Sequence, residues 1–219
     1  MPPESVRSLR DAAYREARRT LFRKMRKVRR LLGLHRAVSY NQSIIDAMAW
    51  LGEQPDTIFV GQTVVHGGSF FAASLERVPM NRRLEFPLAE EMQLGASLGL
   101  ALSGENCVVS IYPRIDFLLL AMNQLVNHID KIGVMSDGKM RPRIIIRTAI
   151  GPKEPLDGGP QHTGNYVTAI KAMLTTVNVY PVLTADIAVE MYQHAYKSGG
   201  VWLFVEEGEA YSEKEISVS

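Results

Sequence analysis

Few side chains in this sequence combine a reactive type with a setting that would aim it. The clearest is the carboxylate of Glu90, with Glu91 beside it, in Phe86-Pro87-Leu88-Ala89-Glu90-Glu91. A short apolar run precedes these acids and a helix of small residues follows, so a carboxylate there points into whatever packs against the end of a strand. It could hold or exchange a proton. Equally, both glutamates could be first-turn acids favoured by a helix dipole. His162, in Pro160-Gln161-His162-Thr163, can donate a hydrogen bond or a proton near neutral pH to a developing oxyanion or carboxylate. Arg114 and Asp116 could pair with each other or read a charged substrate. His66, before Gly67-Gly68, is either a substrate contact or idle, and Phe117 taken alone reads as core. Cys107 is the only cysteine and lies in the apolar run Asn106-Cys107-Val108-Val109. It cannot form an internal disulfide, which fits a reducing compartment and a cytoplasmic location, and with no cationic neighbour apparent it reads as a buried, inert thiol.

The elements that must hold these residues alternate between helices and short apolar strands. A helical period covers 41–51, with Asn41 or Ser39 as its cap, and Thr57-Ile58-Phe59-Val60 is a buried strand ending at Gly61. Residues 83–86 form a second strand, followed by a helix that stops at Gly104. Residues 108–112 are a third strand, and one long helix is expected over 117–135, ending near Gly138. A fourth strand at 143–147 leads into a Gly- and Pro-rich loop, 151–164, longer than a mere connection needs. Strand 177–180, helix 185–197 and strand 201–205 complete the series. This alternation predicts an α/β fold, a mainly parallel sheet with helices on both faces. In such sheets ligands bind beyond the carboxyl ends of the strands, which here means loops 61–70, 86–91, 112–117 and 148–164. The candidate residues fall in those loops.

At 219 residues with 46% apolar content, the chain is long enough for one full core plus an extension. No window of eighteen apolar residues occurs, so no transmembrane helix is expected. The net charge of +2 conceals an asymmetry, because residues 1–36 hold twelve Lys or Arg against three acids, leaving the remainder at −7. Val6, Leu9, Ala13, Ala17, Leu21, Met25, Val28 and Leu32 recur at helical spacing and predict a basic amphipathic helix over 1–38, ending at Gly33. No signal-peptide apolar core is present there. That helix could lie along an acidic surface of its own domain or of a partner subunit, touch a polyanion such as nucleic acid or an anionic membrane, or be a solvated face with no role; a continuous apolar stripe under the charges favours docking, since contact with phosphates alone would not need it. The α/β domain is expected over 39–212, with a short tail at 213–219.

Taken in order, Phe59 to Val64 with Gly67-Gly68, Phe86 to Glu91, Ile111 to Phe117, Asn123 to Asn127 and Gln161-His162-Thr163 carry a resemblance that runs from about Tyr40 to Tyr211. In that order and spacing the chain resembles the beta subunit of the thiamine-diphosphate-dependent 2-oxo acid dehydrogenases and, more distantly, the pyrimidine-binding domain of transketolase. The resemblance implies the cofactor thiamine diphosphate. It implies that Glu90, the last residue of a Pro-apolar-x-Glu motif, hydrogen-bonds the pyrimidine ring nitrogen and favours the imino tautomer that deprotonates the thiazolium carbon. It further implies that Phe117 lies against the pyrimidine ring, that Leu88 is an apolar contact beside Glu90, and that His162 reaches the substrate side. His66 and Arg114 stand as further substrate candidates.

The sequence also departs from that family. Where the first loop usually carries two acids, this one has Gly61-Gln62-Thr63-Val64, which bears on any acid-mediated proton exchange between paired sites. Neither the further carboxyl-terminal domain of the beta subunits nor the Gly-Asp-Gly motif that holds Mg²⁺ and the diphosphate occurs in these 219 residues. The expectation is therefore a pyrimidine-binding subunit working in a heterodimer or heterotetramer with a diphosphate-binding alpha-like subunit that holds the Mg²⁺. The implied reaction decarboxylates a 2-oxo acid or cleaves a ketose or acyloin and transfers the fragment. The alternative is a non-catalytic regulatory or scaffolding homologue that recruits a partner through its basic helix.

Overall fold

A computed structural model describes residues 38–104, 106–153 and 157–212. The expected basic helix and the carboxyl-terminal tail lie outside the described residues. Six strands form one all-parallel sheet: β1 (Thr57–Gly61), β2 (Arg83–Glu85), β3 (Cys107–Ile111), β4 (Arg143–Ile150), β5 (Asn178–Val182) and β6 (Val201–Glu207), in the order β2-β1-β3-β4-β6-β5. The main helices are α1 (Tyr40–Glu53), α2 (Phe70–Ala73), α3 (Glu90–Ser103), α4 (Ile115–Leu118), α5 (Ile132–Met135), α6 (Val167–Met173) and α7 (Ala185–Ser198). The predicted α/β class and parallel sheet are what the chain forms.

Alternate residues of the central strands feed two cores. Phe59, Val109, Ile145 and Phe204 join the face that carries Ile44, Met48 and Tyr192 of α1 and α7. Val60, Val108, Ile144 and Leu203 join the other face with Leu94, Leu118 and Leu125. Burial on both sides is why these strands read as continuous apolar runs. Ser39, not Asn41, caps α1, its hydroxyl accepting the Gln42 N–H at 3.2 Å.

Cys107 is buried and its thiol is pushed up to about 12 by burial. Arg143 does lie close enough to act on it, contrary to the sequence reading, but that guanidinium is paired with Asp56 at 2.5 Å. The thiol is structural, as expected.

The long helix expected over 117–135 is not continuous. After α4 the chain tightens into a 3-10 turn at Leu119–Ala121, widens into a π turn at Gln124–Ile129, and re-forms as α5. The break coincides with Asp130, whose buried carboxylate accepts the backbone N–H groups of Thr175, Thr176 and Val177 at 2.7–3.0 Å, fastening this segment to the entrance of β5. Apolar side chains at Leu118, Ala121, Leu125 and Ile129 stay buried throughout, so periodicity persists while the hydrogen-bond pattern changes.

In the carboxyl halves of β4 and β6, Arg147 and Glu206 form an ion pair with both side chains at 0% exposure. The pairing is two-pronged, Nε to Oε1 at 2.6 Å and Nη2 to Oε2 at 3.0 Å. Arg147 also donates to Ser74 Oγ at 2.7 Å and Tyr211 OH at 2.8 Å, and Tyr192 and Tyr211 donate to Glu206. Removing one ion from such a pair leaves the other buried and uncompensated. Arg147→Met should lower the unfolding free energy by about 3 to 5 kcal/mol, and adding Glu206→Leu should recover most of it. Urea denaturation measures both, and a loss below about 1 kcal/mol for the single variant would show that water reaches Glu206.

Candidate active site

The sheet register brings Gly61, Ile111 and Arg147 into one row, so the loops that follow β1, β3 and β4 lie side by side. Glu90 enters this row as the first residue of α3. Its carboxylate is half-buried, and Oε1 accepts an N–H from the side chain of Gln62 at 3.1 Å. Two further contacts fix the helix start. The buried Tyr112 hydroxyl donates to the Glu90 carbonyl at 2.9 Å, and the fully buried Gln93 donates to the Ile111 carbonyl at 2.9 Å. Glu91 points elsewhere: it is exposed and meets Gln124 at 3.5 Å. Of the two adjacent acids only Glu90 faces the loop after β1. No side chain caps α3 at Ala89, which leaves the two glutamates as the charge at its amino end.

The loop that carries Gln62 is held by a residue the sequence did not single out. Glu85 accepts from Thr63 N at 2.6 Å and Val65 N at 2.7 Å, one bond to each carboxylate oxygen. This fork holds Thr63 at φ 58, a left-handed conformation uncommon for a β-branched residue. Thr63 and Ser69 share a hydroxyl hydrogen bond at 2.9 Å, and Ser69 caps α2. Gln62 is therefore buried, at 4% exposure, on a loop fixed at both ends.

Loop 112–117 meets loop 151–164. The rings of Phe117 and His162 pack edge to face with centroids 5.5 Å apart. Gly164 N–H donates to Asp116 Oδ1 at 3.2 Å. A Cβ on Gly151 would lie 1.7 Å from the His162 carbonyl oxygen, so only glycine permits the return of this loop over the end of β4. His162 Nδ1 and Asp116 Oδ2 are buried without a hydrogen-bond partner. The ion pair considered between Arg114 and Asp116 is absent. Arg114 donates to the Pro113 carbonyl at 2.9 Å and lies over the Phe70 ring at 5.1 Å.

The predicted residues thus separate into groups. Glu90 stands with Gln62 and Tyr112, and Phe117 with His162, at one end of the sheet. Leu88 projects into solvent at 83% exposure beside Glu90. His66 is exposed at the tip of its loop and has no hydrogen bond among the described residues. Gln62, Glu85, Gln93 and Tyr112 were not anticipated as contacts; their types occur everywhere, and only the strand order reveals them.

The family described as transketolase, pyrimidine binding domain, matches the chain over residues 36–212. The chain belongs to that family. Solved structures share the fold of this pyrimidine-binding domain. A split-gene transketolase, an inactive beta4 tetramer, superposes with a TM-score of 0.59 at 16% identity, covering 77% of this chain and 51% of that one. A Mycobacterium smegmatis protein assigned as a thiamin diphosphate-dependent enzyme superposes with a TM-score of 0.57 at 16% identity, covering 83% and 33%. The chain spans about half the length of the first and a third of the second. No curated protein matches it in sequence.

The neutral amide of Gln62 lets it donate to Glu90 without a shared proton. In a Gln62→Glu variant two carboxylates would face each other there, and they stay in contact only by sharing one. Acid then favours the fold, so the variant's unfolding free energy should fall by about 1 kcal/mol between pH 5 and 8 relative to the parent. Thermal denaturation across that range measures it; parallel profiles for the two proteins would mean that the contact is not maintained in solution.

Proposed function

We propose that this pyrimidine-binding domain is one subunit of a heteromeric thiamine-diphosphate enzyme that breaks the bond beside the carbonyl of a 2-oxo acid or ketose and transfers the carbon fragment. The observation that carries this reading is the setting of Glu90. One carboxylate oxygen is engaged by Gln62, and the other has no hydrogen bond among the described residues. Glu90 thus has a free acceptor at the end of the sheet where ligands of parallel α/β folds bind.

The side chains fit the cofactor's pyrimidine half. Glu90 would hold the ring nitrogen, half-buried Phe117 would cover a ring face, and exposed Leu88 would close the site from the side. When bound, thiamine diphosphate supplies an acidic carbon that adds to a carbonyl and takes up the electron pair of the broken bond. In this chain, Gln62 and Tyr112 orient Glu90, so its unengaged carboxylate oxygen is held at a fixed place. His162, edge-on to Phe117, offers a proton or hydrogen bond to the oxyanion or carboxylate of the substrate.

The Mg²⁺ and diphosphate half falls to a partner subunit. Leu88 and Met92, each two residues from Glu90, are 83% and 51% exposed, and Leu119 and Leu120, 40% and 67% exposed, lie on a turn that packs against α3. Exposed apolar area of this kind marks an interaction surface. The split-gene transketolase neighbour is likewise inactive as a beta4 tetramer. Gln62, buried and bonded to Glu90, is a built contact, which favours catalysis over a scaffold decayed at that position.

Glu90→Gln can keep a hydrogen bond to Gln62 and should fold normally. In the complex isolated with its partner it should lose about 10²- to 10⁴-fold in turnover. Unchanged turnover would remove Glu90 from the mechanism. Calorimetry with thiamine diphosphate and Mg²⁺ should show binding to the complex and none to the chain alone; binding in neither form would leave the scaffold.

A further inference from the structure

Arg114 is a cation that the described fold leaves without a counter-ion. It is half-buried at the carboxyl end of β3, between the loop after β1 and the loop after β4. Among the described residues no carboxylate lies within 4.0 Å of its guanidinium. Of the five N–H bonds that an arginine presents, one is spent, on the carbonyl of its neighbour Pro113 at 2.9 Å. The arginines within the strands are treated differently. Arg143 is paired with Asp56, Arg147 with Glu206, and Arg83 is absorbed by the carbonyls of Val64, Leu75 and Val78.

The side chain is nevertheless positioned. Its guanidinium lies over the Phe70 ring at 5.1 Å, and its Cδ comes within 3.1 Å of where a Cβ of Gly151 would stand. Phe70 is in turn packed on Phe71 at 4.6 Å and on Tyr211 at 4.5 Å. A planar fork held over an aromatic ring, with four of its five donors unspent, is suited to taking a carboxylate or a phosphate through two parallel hydrogen bonds. Burial lowers the pKa of the Arg114 guanidinium below its ordinary value and Asp116 acts through space in the opposite sense, while the Asp116 Oδ1 is committed to Gly164 N–H.

Resting on the functional reading above, we infer that Arg114 is the residue that selects the substrate, anchoring the anionic end of the molecule whose carbonyl reacts. The shared chemistry is a two-oxygen anion, either the carboxylate of a 2-oxo acid or the phosphate of a sugar phosphate. Arg114 shares loop 112–117 with Phe117 and abuts the 151–164 loop that carries His162, so substrate orientation is set by residues of this chain.

Arginine-labelled chain, alone and in the complex isolated with its partner, is titrated in separate experiments with pyruvate, inorganic phosphate and methyl pyruvate at constant ionic strength. The side-chain Nε–H signal of Arg114 is assigned by its loss in Arg114→Lys. Pyruvate or phosphate should shift that signal saturably, and uncharged methyl pyruvate should leave it still. A stronger response to pyruvate assigns a 2-oxo acid, and a stronger response to phosphate a sugar phosphate. Calorimetry should show affinity for the better anion at least tenfold weaker in Arg114→Gln, with an unfolding midpoint within about 2 °C of the parent, and Arg114→Lys between the two. A still signal with both anions in both preparations overturns the inference, as does equal affinity in Arg114→Gln. No thiamine diphosphate is present in these titrations, so failure here and failure of the cofactor reading are separate results.

Discussion

Arg147 and Glu206 carry opposite charges at zero exposure on adjacent strands, and taking either ion out of water costs free energy that only the geometry around the pair offsets. That geometry reaches well beyond the pair. Arg147 binds Ser74 and lies 4.4 Å from the centre of the Phe71 ring, so the segment after β1 is drawn down onto the end of β4. Tyr211 binds both ions and thereby brings the turn at Gly208–Ser212 under Phe70. Phe70 then supports Arg114. A buried pair of this kind contributes less to net stability than to arrangement, because a well-packed apolar replacement of both partners can be as stable. What such a replacement would lose is the set of directed bonds that places the 62–75 segment against loop 112–117.

The parallel sheet imposes the second constraint. Because β1, β3 and β4 are neighbours running the same way, their following loops must share one edge, however far apart they lie in sequence. Glu90 and Gln62 are 28 residues apart and meet there, and Gly164 reaches Asp116 across 48. Crowding at that edge explains the glycines: a Cβ at Gly61 would come within 2.6 Å of the Ile111 carbonyl oxygen, and one at Gly164 within 2.6 Å of Asp116 Oδ1.

Much of this architecture was legible in the sequence, for identifiable reasons. Strands buried on both faces leave uninterrupted apolar runs, and Phe59-Val60, Val108-Val109 and Ile144-Ile145-Ile146 were readable as such. The segment after Phe117 was not, because apolar residues at three- and four-residue steps are equally compatible with α, 3-10 and π turns; the break falls at Asp130, which accepts hydrogen bonds from residues 45 to 47 positions away. The short helices α2 and α6 span four and seven residues, too few for a period to show. In the site, Glu90 was distinguishable from Glu91 only by motif, whereas the structure separates them by direction: one faces Gln62, the other Gln124. Gln62 read as the loss of an acid. Its gain, a neutral donor to Glu90, is a tertiary contact with no local signature.

That exchange of acid for amide bears on how the site works. A carboxylate at position 62 could sit 3.1 Å from Glu90 only with a proton between them, and the position of that proton would then depend on both groups. An amide has no proton to trade in this range; it donates one N–H in a fixed direction and leaves the second Glu90 oxygen without a partner among the described residues. Glu85 and the left-handed Thr63 hold Gln62 in that role, at the cost of a strained residue in the same loop. Strain retained beside a candidate site implies that the surrounding structure gains from it. Here the gain is a carboxylate with one oxygen tethered and the other without a partner among the described residues, beside the exposed Leu88.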